Sequence, residues 1–225
     1  MTLPAAADPP VIAIDGPSAS GKGTVAQYVA RELGFHYLDS GSLYRLVALA
    51  AMRGGVDLAD AEGLAGLARG LAVRFEGAEI RLGAERVTEA IRTEECSLAA
   101  SRVAAQPAVR HALLGRQHGF REPPGLVAEG RDMGSVVFPD AALKVFLTAS
   151  PETRAERRHK QLIEKGIAAT LFGLLQDLRE RDARDATRSV APLKQSPGAR
   201  KLDTTSLSAA QAAALIVGWY RGANG

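Results

Sequence analysis

The chain has 225 residues, a formal net charge of +3 and a single cysteine, Cys96. One cysteine excludes a disulfide framework and suits a reducing compartment, so we expect a cytoplasmic protein. No apolar run approaches the length of a membrane span, and so small a net charge does not by itself indicate nucleic-acid binding.

After a Pro- and Ala-rich stretch over residues 1–10, expected to be a loose tail, strand and helix patterns alternate. Strands are predicted at 11–15, 35–38, 126–128, 143–147 and near 202–203. Helices are predicted at 23–33, 40–53, 94–106, 108–121, 152–165, 170–185 and 208–220. Short extended pieces at 73–75, 79–82 and 86–87 indicate a small antiparallel meander. This order predicts an α/β fold, a three-layer sandwich whose central parallel sheet is covered on both faces, with a small antiparallel β insert.

The strongest motif is a glycine-rich loop between the first strand and the first helix. It has the G-x-x-x-x-G-K core of a P-loop and comprises Gly16, Pro17, Ser18, Ala19, Ser20, Gly21, Lys22, Gly23 and Thr24. Glycines let successive N–H groups point at phosphate oxygens, and the following helix presents its positive N-terminus to the same phosphates. The loop therefore predicts ATP binding, with Lys22 reaching the β- and γ-phosphates.

One position departs from the plain pattern. Gly23 follows the lysine, and the hydroxyl comes one residue later, at Thr24. The G-K-G-T form resembles nucleoside monophosphate kinases rather than GTPases. We expect no protein ligand to Mg²⁺, which would be held mainly by phosphates and water.

A second segment, Leu38-Asp39-Ser40-Gly41-Ser42-Leu43-Tyr44-Arg45, opens the second predicted helix. Ser40 is a candidate N-cap, and Arg45 lies one turn in, near the sheet edge where α/β ligands bind. A guanidinium there suits a bidentate grip on an acceptor phosphate. Taken alone, a capped helix with a surface arginine explains the segment equally well.

Together with the P-loop, this segment, the insert ending Ile91-Arg92-Thr93, and the run G-R-D-M-G-S-V-V-F-P from Gly130 to Pro139 resemble the bacterial cytidylate kinases. The resemblance runs from Val11 to the last helix. It implies phosphoryl transfer from ATP, with Mg²⁺, to CMP and dCMP, in a monomer. From the charge and the lack of a long apolar run, we expect neither a nucleic acid nor a membrane as a partner. It also implies one P-loop kinase domain over 1–225, with an acceptor-binding insert at about 63–102 and a helical lid at about 154–188.

The same resemblance places individual residues. It implies CMP binding by Ser40, Gly41, Tyr44, Arg45, Ser101, Arg110, Gly130, Arg131, Asp132, Asp185 and Arg188. Ser101 and Arg110 match positions that contact the cytosine ring, whose O2 and N3 accept hydrogen bonds, while Asp132 can accept from the amino group. Uracil reverses this pattern at N3 and position 4, so UMP is expected to be a poor acceptor.

Arginines recur on two predicted helices. At about 100° per residue, a single arc of the later helix holds Arg181, Arg184, Asp185 and Arg188. Leucines precede them on or near that arc, so we expect the arginines to face an anion-binding cavity. The alternative is solvated pairing along the helix, for example Arg181 with Asp185.

By resemblance, both helices form the lid over the ATP phosphates. The implied catalytic residues are Lys22, Arg131, Arg157, Arg158 and Arg181. Guanidiniums beside the γ-phosphoryl oxygens stabilise the charge of a loose transition state without a covalent step.

Three other functions compete with CMP phosphorylation. A kinase for another monophosphate or small metabolite would keep the same loop, but the predicted short meander at 73–87 resembles cytidylate kinases and not the helical acceptor lobes of adenylate kinases. A nucleotide switch is disfavoured because no N-K-x-D motif is present. An RNA-associated protein is disfavoured because no aromatic stacking platform accompanies the arginines.

Overall fold

A computed structural model describes residues 8–76, 79–164, 166–188 and 190–223. The described residues group into two compact units, the first made of those up to 38 and from 120 onward, and the second of those between 39 and 119. Most of the predicted N-terminal tail lies outside the described residues.

The described chain contains eight strands and eight α-helices. The strands are β1 (Val11–Asp15), β2 (His36–Asp39), β3 (Val73–Glu76), β4 (Glu79–Leu82), β5 (Glu85–Arg86), β6 (Leu126–Gly130), β7 (Leu143–Thr148) and β8 (Arg200–Asp203). The α-helices are α1 (Lys22–Leu33), α2 (Ser40–Gly54), α3 (Ala61–Arg69), α4 (Glu94–Val103), α5 (Pro107–His118), α6 (Pro151–Glu164), α7 (Leu171–Thr187) and α8 (Ala209–Ala223). A 3₁₀ turn at Ala90–Arg92 and a π-helical turn at Met133–Val137 complete the described elements.

The five-stranded sheet of the first unit has the order β2-β6-β1-β7-β8. Strand β1 pairs in parallel with β6, Ala13 opposite Ala128, and with β7, Ile14 opposite Val145; β7 and β8 are also parallel. Every residue of β1 and β6 is buried, as expected for central strands of a parallel sheet. The carboxyl ends of β1 and β6 therefore meet at one edge, where ligands of α/β proteins bind.

Helices α1 and α8 pack together and contribute, with strand side chains, to the main core of this unit. Val25 and Val29 of α1 and Ile216 of α8 lie in that core with Ile12 and Val145. Helices α6 and α7 form a hairpin with its own small core of Ala155, Leu162, Leu174 and Leu178. Ala19 of the glycine-rich loop packs against this core, so the hairpin is seated on the loop.

The second unit combines helices α2 to α5 with a three-stranded antiparallel sheet, β3-β4-β5. Helix α2 packs on α4, and α3 packs on α5. The exposed guanidinium of Arg53 makes two hydrogen bonds with Glu85, of 2.7 and 2.8 Å, which attach the small sheet to α2.

The predicted fold class is confirmed, including the parallel central sheet and the antiparallel insert. The boundaries of the acceptor-binding insert, at about 63–102, and of the lid, at about 154–188, stay a prediction. Helix α3 was not predicted, because it is only nine residues long and contains glycines. The π-helical turn was not predicted either. None of the helices in the described part of the chain has the length and apolarity that crossing a bilayer requires.

Candidate active site

The glycine-rich loop leaves β1 at Asp15 and enters α1 at Lys22. Gly21 has φ of 88°, a left-handed conformation that glycine adopts without a steric penalty. A Cβ on Gly16 would lie 2.0 Å from the Leu147 carbonyl oxygen, and the Gly16 N–H donates to the Gly130 carbonyl at 3.3 Å. The loop is therefore closely packed between β6 and β7, with the α1 N-terminus behind it.

Lys22 lies beside Glu129, the fourth residue of β6. The distance between Lys22 Nζ and Glu129 Oε2 is 3.7 Å, and Nζ also donates to the Pro17 carbonyl at 3.3 Å. Tyr37 donates its hydroxyl proton to Glu129 Oε1 at 3.1 Å. The lysine thus points into the loop, toward a carboxylate that a strand residue holds in place.

Asp15 joins the loop to the segment after β6. Its carboxylate accepts hydrogen bonds from the backbone N–H groups of Met133, at 2.8 Å, and Gly134, at 2.9 Å. Burial raises the pKa of Asp15 to about 6, against the lowering effect of these two bonds. Both oxygens of Asp15 are thereby committed to fixing the π-helical turn that follows Gly130, Arg131 and Asp132.

Arg131 connects the loop to helix α7. Its Nη2 donates to Ser18 Oγ at 3.0 Å, and its Nε donates to Asp185 Oδ2 at 2.9 Å. The other oxygen of Asp185 accepts from Arg188, the residue that caps the C-terminus of α7. Three of the predicted residues, Arg131, Asp185 and Arg188, therefore form one cluster beside the loop.

Asp185 is buried, with 1% of its surface exposed. Desolvation raises its pKa, but the charges of Arg131, Arg188 and Arg181 outweigh it, and the net pKa is lowered from its usual value. The carboxylate is therefore ionised at neutral pH, and it holds the guanidiniums in a fixed arrangement.

Helix α6 supplies two further arginines that bond to the loop backbone. Arg154 is buried, donates to the Ser18 carbonyl at 3.1 Å and forms an ion pair with Asp182 of α7. Arg157 donates to the Ser20 carbonyl at 3.1 Å and to the Thr204 carbonyl at 2.6 Å. These bonds attach the α6–α7 hairpin to the loop at two points.

The remaining predicted arginines of the hairpin differ in exposure. Arg158 and Arg181 are half-buried. Arg184 was expected to face the cavity with its neighbours, but it is exposed and lies 3.9 Å from Glu180. Arg184 is exposed because it lies about 100° around the helix from Asp185, whose side chain is buried.

In the second unit, helix α2 begins with a capping arrangement. Asp39 accepts from the Ser42 N–H at 3.1 Å and from its hydroxyl at 2.6 Å, so Asp39 is the N-cap. The expectation that Ser40 caps α2 was wrong by one residue, since Ser40 is the first helical residue. Gly41 sits within this first turn, where a Cβ would lie 3.1 Å from Asp39 Oδ1.

Three helices of this unit, α2, α4 and α5, carry the residues predicted to bind the acceptor. The guanidinium carbon of Arg110, on α5, lies 5.7 Å from the ring centroid of Tyr44, on α2, a cation–π distance. Arg110 is buried and donates to the Ala104 carbonyl at 3.2 Å. Ser101, on α4, is also buried, and its hydroxyl has no hydrogen-bond partner among the described residues.

Arg45 lies on α2, one residue after Tyr44. It is half-buried. Its carbonyl accepts from Cys96 Sγ on α4 at 3.4 Å, and burial raises the pKa of that thiol. The Ser101 hydroxyl, which has no hydrogen-bond partner among the described residues, and the half-buried Arg45 guanidinium are groups to which a hydrogen-bonding, anionic ligand can bind.

Sequence reasoning missed several residues that shape the first unit: Asp15, Tyr37, Glu129, Asp182 and Thr204. Their contacts depend on elements far apart in the chain, so local patterns carry no sign of them. Glu129 alone had a usable signal, as a charged residue inside an apolar strand directly before the G-R-D run.

A phosphate loop with its lysine, and a group of arginines bonded to the same loop, define a P-loop phosphotransferase. A family model described as cytidylate kinase matches residues 12–221. The chain belongs to the cytidylate kinase family.

Relatives named cytidylate kinase match nearly the whole chain. The protein of Polynucleobacter asymbioticus is 58% identical over 214 residues, 95% of this chain and 97% of that protein. That of Chromobacterium violaceum is 59% identical over 211 residues, 94% of this chain and 95% of its own. Among solved structures, the crystal structure of TT1252 from Thermus thermophilus covers 95% of this chain and 98% of its own at 21% identity and a TM-score of 0.45, a distant likeness that adds nothing to the assignment.

Proposed function

We propose that the chain transfers the γ-phosphoryl group of ATP directly and in line to CMP and dCMP, giving CDP and dCDP. Family membership over residues 12–221 supports this reaction. The observation that carries it is the position of Arg131, which bonds both to Ser18 in the phosphate loop and to Asp185. A two-substrate phosphotransferase requires a positive charge between its donor and acceptor phosphates. The Arg131 guanidinium can supply it, because it is bonded to the phosphate loop but belongs to a different segment.

The donor half of the reaction uses the phosphate loop. Backbone N–H groups of residues 16–24 and the α1 N-terminus bind the ATP phosphates, and Lys22 contacts the β- and γ-phosphates. Arg131, Arg157, Arg158 and Arg181 stabilise the charge of the transferring group. Because the transition state is loose, no covalent intermediate and no general base is needed.

Mg²⁺ accompanies ATP and neutralises part of the phosphate charge when it is bound. The buried hydroxyl of Ser20, which has no hydrogen-bond partner among the described residues, is an oxygen donor of the kind that this cation accepts. The Asp15 carboxylate is occupied by two N–H groups, so phosphate oxygens and water supply most of the coordination.

The acceptor half reads both the base and the phosphate of CMP. Ser101 and Arg110 contact the O2 and N3 acceptors of cytosine, and Asp132 accepts from its amino group. Arg45, Arg131 and Arg188 bind the acceptor phosphate, and Asp185 binds the ribose. Ser40, Gly41, Tyr44 and Gly130 complete the acceptor residues.

We further propose that the α6–α7 hairpin is a lid, which excludes water that would otherwise hydrolyse ATP. Its contact with Ala19 of the phosphate loop supports this role. The enzyme acts as a cytoplasmic monomer on free nucleotides, and not on nucleic acid or at a membrane.

The direct test is product formation. Purified protein with ATP, Mg²⁺ and CMP is expected to yield CDP and ADP in equal amounts, separated by ion-exchange chromatography. ADP without CDP would show ATP hydrolysis instead of transfer and would contradict the proposal.

A further inference from the structure

Glu129 is a buried acid that the proposed chemistry does not use. Its side chain is 8% exposed and that of Lys22 is 12% exposed, and the two groups lie 3.7 Å apart. The second carboxylate oxygen accepts from the Tyr37 hydroxyl at 3.1 Å. One oxygen is thus anchored to β2 and the other is directed at the ammonium group.

Gly23 lies against the same carboxylate. A Cβ built on Gly23 would lie 2.9 Å from Glu129 Oε1 and 3.7 Å from the Tyr37 hydroxyl. Any side chain at position 23 would push the carboxylate from its place between Tyr37 and Lys22. In this chain, the lack of space beside the Glu129 carboxylate therefore explains why the residue after the P-loop lysine is glycine and not the usual Ser or Thr.

We propose that Glu129 is a positioning residue, which holds the Lys22 ammonium in the nucleotide-free loop, and that Gly23 keeps the space this carboxylate needs. A poorly exposed ammonium group requires an opposite charge when no phosphate is bound. When ATP enters, its phosphates compete with Glu129 for Lys22. The inference rests on the proposed role of Lys22 in ATP binding.

Glu129→Gln is the informative substitution, because glutamine keeps the size of the side chain and an acceptor for Tyr37 but removes the charge. The nucleotide-free protein is expected to lose thermal stability. ATP is expected to bind about 3- to 10-fold more tightly, because its competitor and a nearby negative charge are gone. The rise in Tm on ATP addition should therefore be larger than in wild type.

The experiment measures Kd for ATP with Mg²⁺ by calorimetry, without acceptor, and Tm with and without ATP. Glu32→Gln is the matched control, since Glu32 is an exposed acid of α1 whose carboxylate lies 3.3 Å from Arg221. A merely structural role of Glu129 would lower both Tm values equally and would leave ATP binding unchanged or weaker. The KM for ATP should fall in Glu129→Gln while kcat changes little, because the Glu129 contact is already broken once phosphates hold Lys22.

Gly23→Ala is a second way to separate the Glu129 carboxylate from Lys22, and it replaces Glu129→Gln in the test if that variant does not fold. The added methyl displaces the carboxylate, so ATP should again bind more tightly, and the double variant should bind no more tightly than Glu129→Gln alone. Unchanged or weakened ATP binding in both single variants would overturn the inference. Wild-type protein that neither binds ATP nor forms CDP would instead overturn the proposed function.

Discussion

The Nε of Arg131 lies 2.9 Å from Oδ2 of Asp185, a residue 54 positions later in the chain. The same guanidinium bonds to Ser18 Oγ through its Nη2. An arginine after β6 is thus fixed by the phosphate loop on one side and by helix α7 on the other. Such anchoring keeps a guanidinium ready for developing charge at little reorganisation cost.

Arg131→Ala is expected to lower kcat for CMP phosphorylation by roughly 100-fold or more, because a preorganised cation is lost. Arg131→Lys should recover only part of the loss, since an ammonium cannot reproduce the Nε and Nη2 bonds. Initial rates at saturating ATP and CMP measure both effects, and circular dichroism checks that the variants are folded.

Arg184→Ala is the matched control for this prediction. Arg184 lies on the same helix as Asp185, but it is exposed and pairs with Glu180. We expect kcat within about twofold of wild type, since exposed pairs contribute little. Full activity in Arg131→Ala, or equal losses in the two variants, would remove Arg131 from the site.

Ser101→Ala separates binding from stability. Since the buried Ser101 hydroxyl has no hydrogen-bond partner among the described residues, its removal should leave Tm unchanged or slightly raised. The KM for CMP should rise by about 10-fold through loss of one hydrogen bond to the base. Ser97→Ala, one turn earlier on α4 and also buried, is the control and should leave the KM for CMP unchanged. An unaltered KM in Ser101→Ala would exclude the proposed cytosine contact.

Asp15 should make the stability of the protein pH-dependent. Its pKa of about 6 lies above the ordinary value of 3.8, so the native state retains the proton to higher pH than the unfolded chain. The contribution of the protonated Asp15 to the free energy of unfolding is fully present below pH 4 and is lost as the pH rises through 6. The loss amounts to about 3 kcal/mol.

Asp15→Asn cannot ionise, so the difference in unfolding free energy between wild type and variant should narrow or reverse from pH 4 to pH 7. Urea denaturation at a series of pH values measures it. The variant is also expected to be less stable at low pH, because its single amide oxygen must serve two N–H groups. Parallel pH profiles for the two proteins would show that Asp15 does not titrate in this range.

Two neighbouring arginines of α6 should differ when each is changed to alanine. Arg157 bonds to the carbonyls of Ser20 and Thr204, so Arg157→Ala should lower Tm by several degrees in addition to the loss of kcat expected from its proposed catalytic role. Arg158→Ala should lower kcat with a smaller change in Tm. Differential scanning fluorimetry and steady-state rates measure both effects, and similar losses of Tm in the two variants would show that the Arg157 bonds to the Ser20 and Thr204 carbonyls do not stabilise the fold.

The order of strands and helices was predictable because each element has a clear local pattern. The apolar run of β1 followed by glycines, and the helical spacing in α1, identify the loop and its flanking elements without any tertiary information. Helix α3 was missed because its glycines at 63 and 66 weaken the helical signal.

The candidate site was only partly predictable. Lys22 and Arg131 carry motif signals, whereas Glu129 and Asp15 act through contacts with Tyr37 and Met133 that only the fold creates. The observed N-cap of α2, Asp39, lies one residue before the predicted one, Ser40. Both are good capping residues, and the local sequence does not distinguish them.

CMP and dCMP are the proposed acceptors, and their kcat/KM relative to the other nucleoside monophosphates is the decisive measurement. A coupled ADP-release assay should be run with ATP and Mg²⁺ against every ribo- and deoxyribonucleoside monophosphate at equal concentration. CMP and dCMP are expected to give the highest kcat/KM, with UMP lower by at least about 100-fold, since uracil leaves buried polar groups unpaired. Equal kcat/KM for UMP and CMP, or a higher value for a purine monophosphate, would show that the site does not select cytosine nucleotides.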